Sequence, residues 1–301
     1  MTEQEVLPAV TDPVPHDDVA TPATRRRRAA SRTVAALMGV LLLGAAGAGL
    51  PDARPWSVPD RPPPPSGPGS STPATTGWPS PGSGSLGVPV GYPQPAPAGG
   101  GPHAFVALQA DGSTPVAYDP CRPIHYVVRP AAQPDGGAEV LALAVRRLSA
   151  VTGLQFIDDG ITDERATSGE RPSFQPERYG DRWAPVLVSW DTDDENQGLA
   201  GDVVGLAGST WRGRGSGPRV YLTGTISLDG PQLADVLELP DGRRIAVAIV
   251  EHELAHLVGL DHVDDPTQLM YPEAQDAVTD FGAGDLTGLA QLGSGPCAPT
   301  L

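Results

Sequence analysis

Three imidazoles and two carboxylates fall within eleven residues of this chain, in the stretch His252-Glu253-Leu254-Ala255-His256-Leu257-Val258-Gly259-Leu260-Asp261-His262. Residues four apart lie on one face of a helix, so His252 and His256 can grip a single ion from the same side. Glu253 follows His252 directly and is within reach of water at that ion. Gly259 accepts positive φ, which ends a helix and turns the chain, bringing His262 back as a third nitrogen donor. Three neutral imidazoles with a fourth position open form the ligand set of a catalytic zinc, whereas structural zinc is closed by four protein ligands. The bland alternative is a buried helix with two satisfied histidines and a third in a loop. It leaves unexplained why three of the chain's six histidines share this stretch.

The stretch resembles the long zinc signature of the metzincin metalloproteases, HExxHxxGxxH followed by a Met-turn. The Met-turn candidate is Leu269-Met270-Tyr271-Pro272, with Met270 eight residues past His262. Tyrosine directly after methionine is similar to the matrixin branch and makes Tyr271 a packing residue rather than a ligand. The resemblance implies one catalytic Zn²⁺ on His252, His256 and His262, with Glu253 as general base. In some relatives an aspartate replaces the third histidine; Asp261 stands beside His262, but His262 holds the family's position. Neutral imidazoles could also take Co, Ni or Cu in vitro. The implied fold is α+β: a twisted, mostly parallel five-stranded sheet with an antiparallel edge strand, about three helices, and zinc in the cleft. Motif and turn together cover about twenty residues.

Around the motif, periodicity gives only α+β. Ile124–Arg129 reads as a strand, Ala138–Val151 as a helix ended by Gly153, and Leu154–Ile157 as a second strand. Val186–Trp190 reads as a buried third strand, and the Gly-interrupted Val203–Thr210 as a sheet edge. Val220–Leu222 and Thr225–Leu228 form a fifth strand that bends at Gly224. The zinc helix spans about Arg243–Val258 with Asp241 as N-cap, and a last helix runs over Gly284–Leu292.

Composition divides the chain. Residues 1–32 are a polar and basic cytoplasmic segment ending in Arg25–Arg28 and Arg32, and 33–50 are a transmembrane anchor or signal peptide. The apolar run from Val34 to Leu50 is seventeen residues without a charge, just long enough to span a membrane core. Arginines on its N-terminal side place that end inside and the remainder outside. Ala46-Gly47-Ala48 supplies a signal-peptidase-like alternative. About half of residues 51–102 are Pro or Gly, which reads as a disordered stalk in which Trp56, Trp78 and Tyr92 are incidental. Residues 103–301 are then one catalytic domain, large enough for a good core.

Two cysteines only, Cys121 and Cys297, bracket that domain; after export they are expected to form one disulfide. Closing so long a loop would stabilise by roughly 4–5 kcal/mol before any strain. Matrixin propeptides hold their zinc latent through a Pro-Arg-Cys-Gly cysteine. The order here, Asp119-Pro120-Cys121-Arg122-Pro123, does not match. The net charge of −16 excludes nucleic acid as a natural partner. In the acidic run Asp191-Thr192-Asp193-Asp194-Glu195-Asn196, the resemblance raises Ca²⁺ at Asp191, Asp193 and Asp194. EF-hand spacing is absent, so a solvated loop is the first expectation. His103 and His125 are the domain's other histidines, too few for a second, structural zinc. The expectation is an extracytoplasmic, monomeric zinc endopeptidase acting on protein or peptide substrates, with the membrane met only through its N-terminal segment. The rival from another class is a catalytically silent surface-binding module on the same fold. Intact Glu253 argues against it, since such a module needs no base.

Overall fold

The computed structural model describes residues 77–166, 171–213, 217–275 and 277–301. The anchor-or-signal segment 33–50, its arginine flank and stalk residues 51–76 lie outside the described residues. Among the described residues no helix is long and apolar enough to cross a membrane.

In chain order the elements are β1 (Ala104–Phe105), β2 (Ala117–Tyr118), β3 (Ile124–Arg129), α1 (Gly137–Thr152), β4 (Phe156–Ile161) and α2 (Pro176–Tyr179). They continue with β5 (Val186–Asp191), β6 (Gly205–Arg212), β7 (Val220–Asp229), α3 (Gly230–Leu237), α4 (Gly242–Val258), β8 (Leu260–Asp261) and α5 (Ala283–Leu292). The class is α+β. The main sheet has six strands: β4, β3, β5, β7 and β2 pair in parallel, and β6 lies antiparallel on β7. Because β6 follows β7 along its length, the other edge of β7 is shared by β2 at its start and β5 at its end. The expected parallel sheet with an antiparallel edge is present, plus the two-residue β2 and the helices α2 and α3.

Local sequence explains the core elements. All six residues of β5, Val-Leu-Val-Ser-Trp-Asp, are buried, as suits a central parallel strand covered on both faces. In α1, Val140, Leu141, Ala144, Val145 and Leu148 form one buried stripe, and Gly153 in the left-handed conformation closes the helix. α4 is buried on nearly every side, packing against α1, α3, β6 and β7. A helix covered all round needs apolar residues all round, hence Ala246 to Val250 and Leu254 to Val258.

Four expectations change. β7 is the single strand expected, but the irregularity in its pairing with β6 falls between Tyr221 and Thr223, just before Gly224. Gly224 is there because α4 comes close: a Cβ would stand 2.5 Å from Leu257 Cδ1 and from Gly208 O. Asp241 occupies the cap position of α4 but at φ 60° and without a side-chain bond; its own carbonyl accepts from Arg244 and Ile245. α3 was not anticipated, although Asp229 caps Gln232 N–H and Pro231 sits in the first turn. Eight residues are too few for clear periodicity.

The fourth concerns the stalk. Residues 77–102 are laid against the domain as a strap. Leu86 N–H donates to Cys121 O (2.8 Å), Val90 N–H to Pro120 O (2.9 Å) and Gln94 N–H to Val151 O (2.8 Å). Trp78 packs edge-on against Trp183, ring centroids 5.3 Å apart, beside Val220, Ala298 and Leu301, so it is an anchor rather than an incidental aromatic. Tyr92 is exposed. Prolines leave few amides to satisfy and lose little entropy on ordering. Cys121 and Cys297 are joined in a disulfide, Cα atoms 5.4 Å apart.

Candidate metal centre

α4 places His252 and His256 one turn apart, and Gly259 ends the helix at φ 121°, its N–H shared between Ala255 O and His256 O. A side chain there would be strained in conformation and would meet Val116 O at 3.2 Å. The chain then passes through β8 to His262. The three Nε2 atoms converge: 3.0 Å from His252 to His256, and 3.1 Å from His262 to each.

The Nδ1 atoms of His252 and His256 face away from this point. His252 Nδ1 bonds Leu269 O (2.7 Å) and His256 Nδ1 bonds Leu260 O (2.8 Å). A carbonyl accepts only, so both Nδ1 atoms carry the proton and both Nε2 atoms present lone pairs. Burial, then the neighbouring imidazoles, holds His252 well below the ordinary histidine range and His256 down to about 3. His262 is also lowered by burial, against the opposing charge of Asp261. Three neutral rings aiming lone pairs at one point repel one another unless a cation lies between them. Triangle edges near 3.1 Å give a circumradius of about 1.8 Å, just inside a zinc–imidazole bond of roughly 2.0–2.1 Å. The donor set therefore fits a divalent metal with nitrogen preference.

Glu253 is fully buried, and neither carboxylate oxygen has a hydrogen-bond partner among the described residues. Burial pushes its pKa up to about 8. Its carboxyl group lies under the start of β6, where a Cβ on Gly205 would stand 2.7 Å from it. A buried, unpaired carboxylate is costly to maintain, and Glu253 is next to His252 along α4.

Other candidates separate clearly. Asp261 accepts from the backbone N–H of His262 (2.8 Å) and is not among the converging groups. Asp264 and Asp265 do not orient the ligand rings, a role taken by the two carbonyls; Asp265 instead caps Thr267 (3.0 Å). Met270 is buried in the core and its carbonyl accepts from Val263 N–H (3.1 Å), tying the Leu269–Met270 turn to the chain leaving His262. The three acidic Ca²⁺ candidates are not brought together. Asp191 turns inward to Arg129 and to Ser189 Oγ, while Asp193 and Asp194 are exposed. Arg129 also reaches Glu195 (2.7 Å), so this loop folds around a cation of the protein itself.

Sequence reasoning missed Gln268 and Asp285. Asp285, in the first turn of α5, accepts from Leu269 N–H (2.7 Å) and Gly282 N–H (2.9 Å). Gln268 Oε1 accepts from Gly284 N–H (2.8 Å). The usable signal was an acid three residues after a glycine cap, a capping-box spacing. Comparison with protein-family models and with curated proteins gives no match to this chain.

Proposed function

We propose that this chain is a zinc-dependent endopeptidase of metzincin type, close to the matrixins, acting outside the cytoplasm. One observation carries the reading: three Nε2 atoms within 3.1 Å of one another, with Glu253, next to His252 along α4, buried and without a hydrogen-bond partner among the described residues. Zinc bound there supplies Lewis acidity, polarising a scissile carbonyl and making water acidic enough to ionise near neutral pH. Glu253 takes the proton from the attacking water at its carboxylate and passes it to the leaving amine nitrogen. His252, His256 and His262 remain neutral donors throughout. β6 is the sheet edge, and among the described residues no strand pairs with its outer side. A substrate would lie there as an added strand, bound by main-chain hydrogen bonds that accept many sequences. Gly205 at the start of β6 brings that edge within contact of Glu253. The disulfide and the arginine-flanked apolar run at 33–50 agree with export.

The test is hydrolysis of casein or a quenched peptide by the full chain, with and without chelator, beside Glu253→Gln. Chelation should abolish cleavage and added Zn²⁺ should restore it. Glu253→Gln should retain one zinc per chain while losing about 10²–10⁴ in kcat. Equal hydrolysis by that variant overturns the mechanism. Metal retention without cleavage of any peptide by the parent protein favours the binding module.

A further inference from the structure

His252 and His256 are each oriented by a backbone carbonyl, Leu269 O and Leu260 O, and one short run of the strap braces the elements that carry both. Leu260 belongs to β8, which among the described residues pairs only with β1: Phe105 stands opposite Leu260 and Ala104 opposite Asp261. Val106 N–H adds a bond to Gly259 O (3.0 Å). Leu269 is held from the other side by Asp285, and Gln268 by Gly284 N–H, both in the first turn of α5. The strap sits on that same turn. A Cβ on Gly101 would stand 2.5 Å from Gly284 N, and one on Gly284 only 1.9 Å from Pro102 O. Farther along α5, Gln291 Nε2 donates to His103 Nε2 (2.9 Å), while His103 Nδ1 donates to Gly101 O (2.9 Å).

We propose that residues 101–106 are a positioning element of the metal site, fixing the ring directions of His252 and His256 and the approach of His262 through β8 and α5. This rests on reading the three histidines as metal ligands. A ring's lone pair points where the partner of its other nitrogen allows, so moving the carbonyl rotates Nε2 away from the common point. Leu260 O lies on a two-residue strand and Leu269 O on a turn. Neither element has enough hydrogen bonds of its own to be rigid. The glycine-to-glycine contact at 101 and 284 contains no side chain that could yield, so displacement of the strap passes directly to α5. Cleavage upstream of the strap would leave the metal site whole, and cleavage within 101–106 would loosen it.

The test uses the full chain carrying Gly101→Ala or Gly284→Ala, which press the same contact from opposite sides, with Gly77→Ala as control. The readouts are zinc affinity by chelator competition and the visible absorption spectrum of the Co²⁺-loaded protein. Gly101→Ala and Gly284→Ala should each weaken zinc binding about 10–100-fold and change the cobalt spectrum. Gly77→Ala should change neither, since a Cβ there meets nothing within 4 Å. A merely structural strap would lower the melting temperature and leave the spectrum unaltered. If Gly284→Ala does not fold, Gly101→Ala decides, because its substitution lies outside every helix and strand. Parental affinity and spectrum in a folded Gly101→Ala overturn the proposal. Failure of the parent to bind one metal ion overturns the underlying site instead.

Discussion

Glu253 and its three histidine neighbours differ in what the fold gives them. His252 and His256 have a carbonyl for one ring nitrogen, while the Glu253 carboxylate has no hydrogen-bond partner among the described residues. Burial without pairing is tolerated where chemistry needs an unsatisfied group. Gly205 extends the argument to a residue that bears no chemistry. A methyl group there would stand 2.7 Å from the Glu253 carboxyl carbon. Gly205→Ala is therefore expected to lower kcat about 10²-fold through displacement of the base, with zinc content unchanged. Metal analysis beside steady-state kinetics checks this, and unaltered kcat would show that Glu253 has room to spare. His252, Glu253 and His256 were legible in the sequence because helical spacing fixes their relation before any packing, and His262 because a glycine that can turn the chain precedes it. Gly205 was legible only as an interruption in a strand, since its purpose lies on α4.

Among the elements, the turn after α4 and the strap show two kinds of dependence. Gly259 is required by its φ of 121° and by the approach of Val116 O, Tyr221 and Leu292. Gly259→Ala should cost roughly 1–3 kcal/mol of stability, read as a lower denaturant midpoint, and should weaken metal binding because His262 follows the turn. The strap depends on tertiary contact instead. Composition argued for a disordered stalk, and residues 77–102 bind the domain through Trp78 and through amides meeting distant carbonyls. A chain beginning at Gly77 should be more stable than one beginning at His103 by about 1–2 kcal/mol, the partial burial of the Trp78 side chain. Equal melting temperatures would remove the strap from the folding unit. The stalk reading failed because composition measures how much apolar area a segment can bury by itself, not what area a neighbouring sheet offers it.

Across the domain, one covalent link and one ion-pair network fasten distant parts. Cys121 and Cys297 are 176 residues apart, so Cys297→Ser should lower stability by about 2–5 kcal/mol, measured by denaturant unfolding without reductant. Glu164 accepts from Arg171 (2.7 and 2.8 Å), Gln175 (2.8 Å) and Tyr179 (2.5 Å), and Arg171 reaches on to Thr223 (2.9 Å) in β7. Burial raises the Glu164 pKa, but Arg171, Tyr179 and Gln175 outweigh it and hold it down to about 2. A folded pKa below the unfolded one contributes stability that is present above about pH 4.5 and lost as pH falls towards 2. Glu164→Gln should therefore flatten the decline in urea midpoint between pH 5 and pH 2.5. An unchanged slope would assign the acid sensitivity to other carboxylates.

The three converging histidines, Glu253, the glycine that turns the chain before His262 and the parallel strands were all legible from spacing and local preference, which act over a few residues. The cysteine pair followed from their number and the inferred compartment. The seating of the strap, the inward turn of Asp191 onto Arg129 and the bracing of the Leu269 turn by Asp285 came from contacts between separate segments of the chain. Their physical cause is shape and polar satisfaction between surfaces that exist only after folding, and no pattern along the chain records which surfaces will meet.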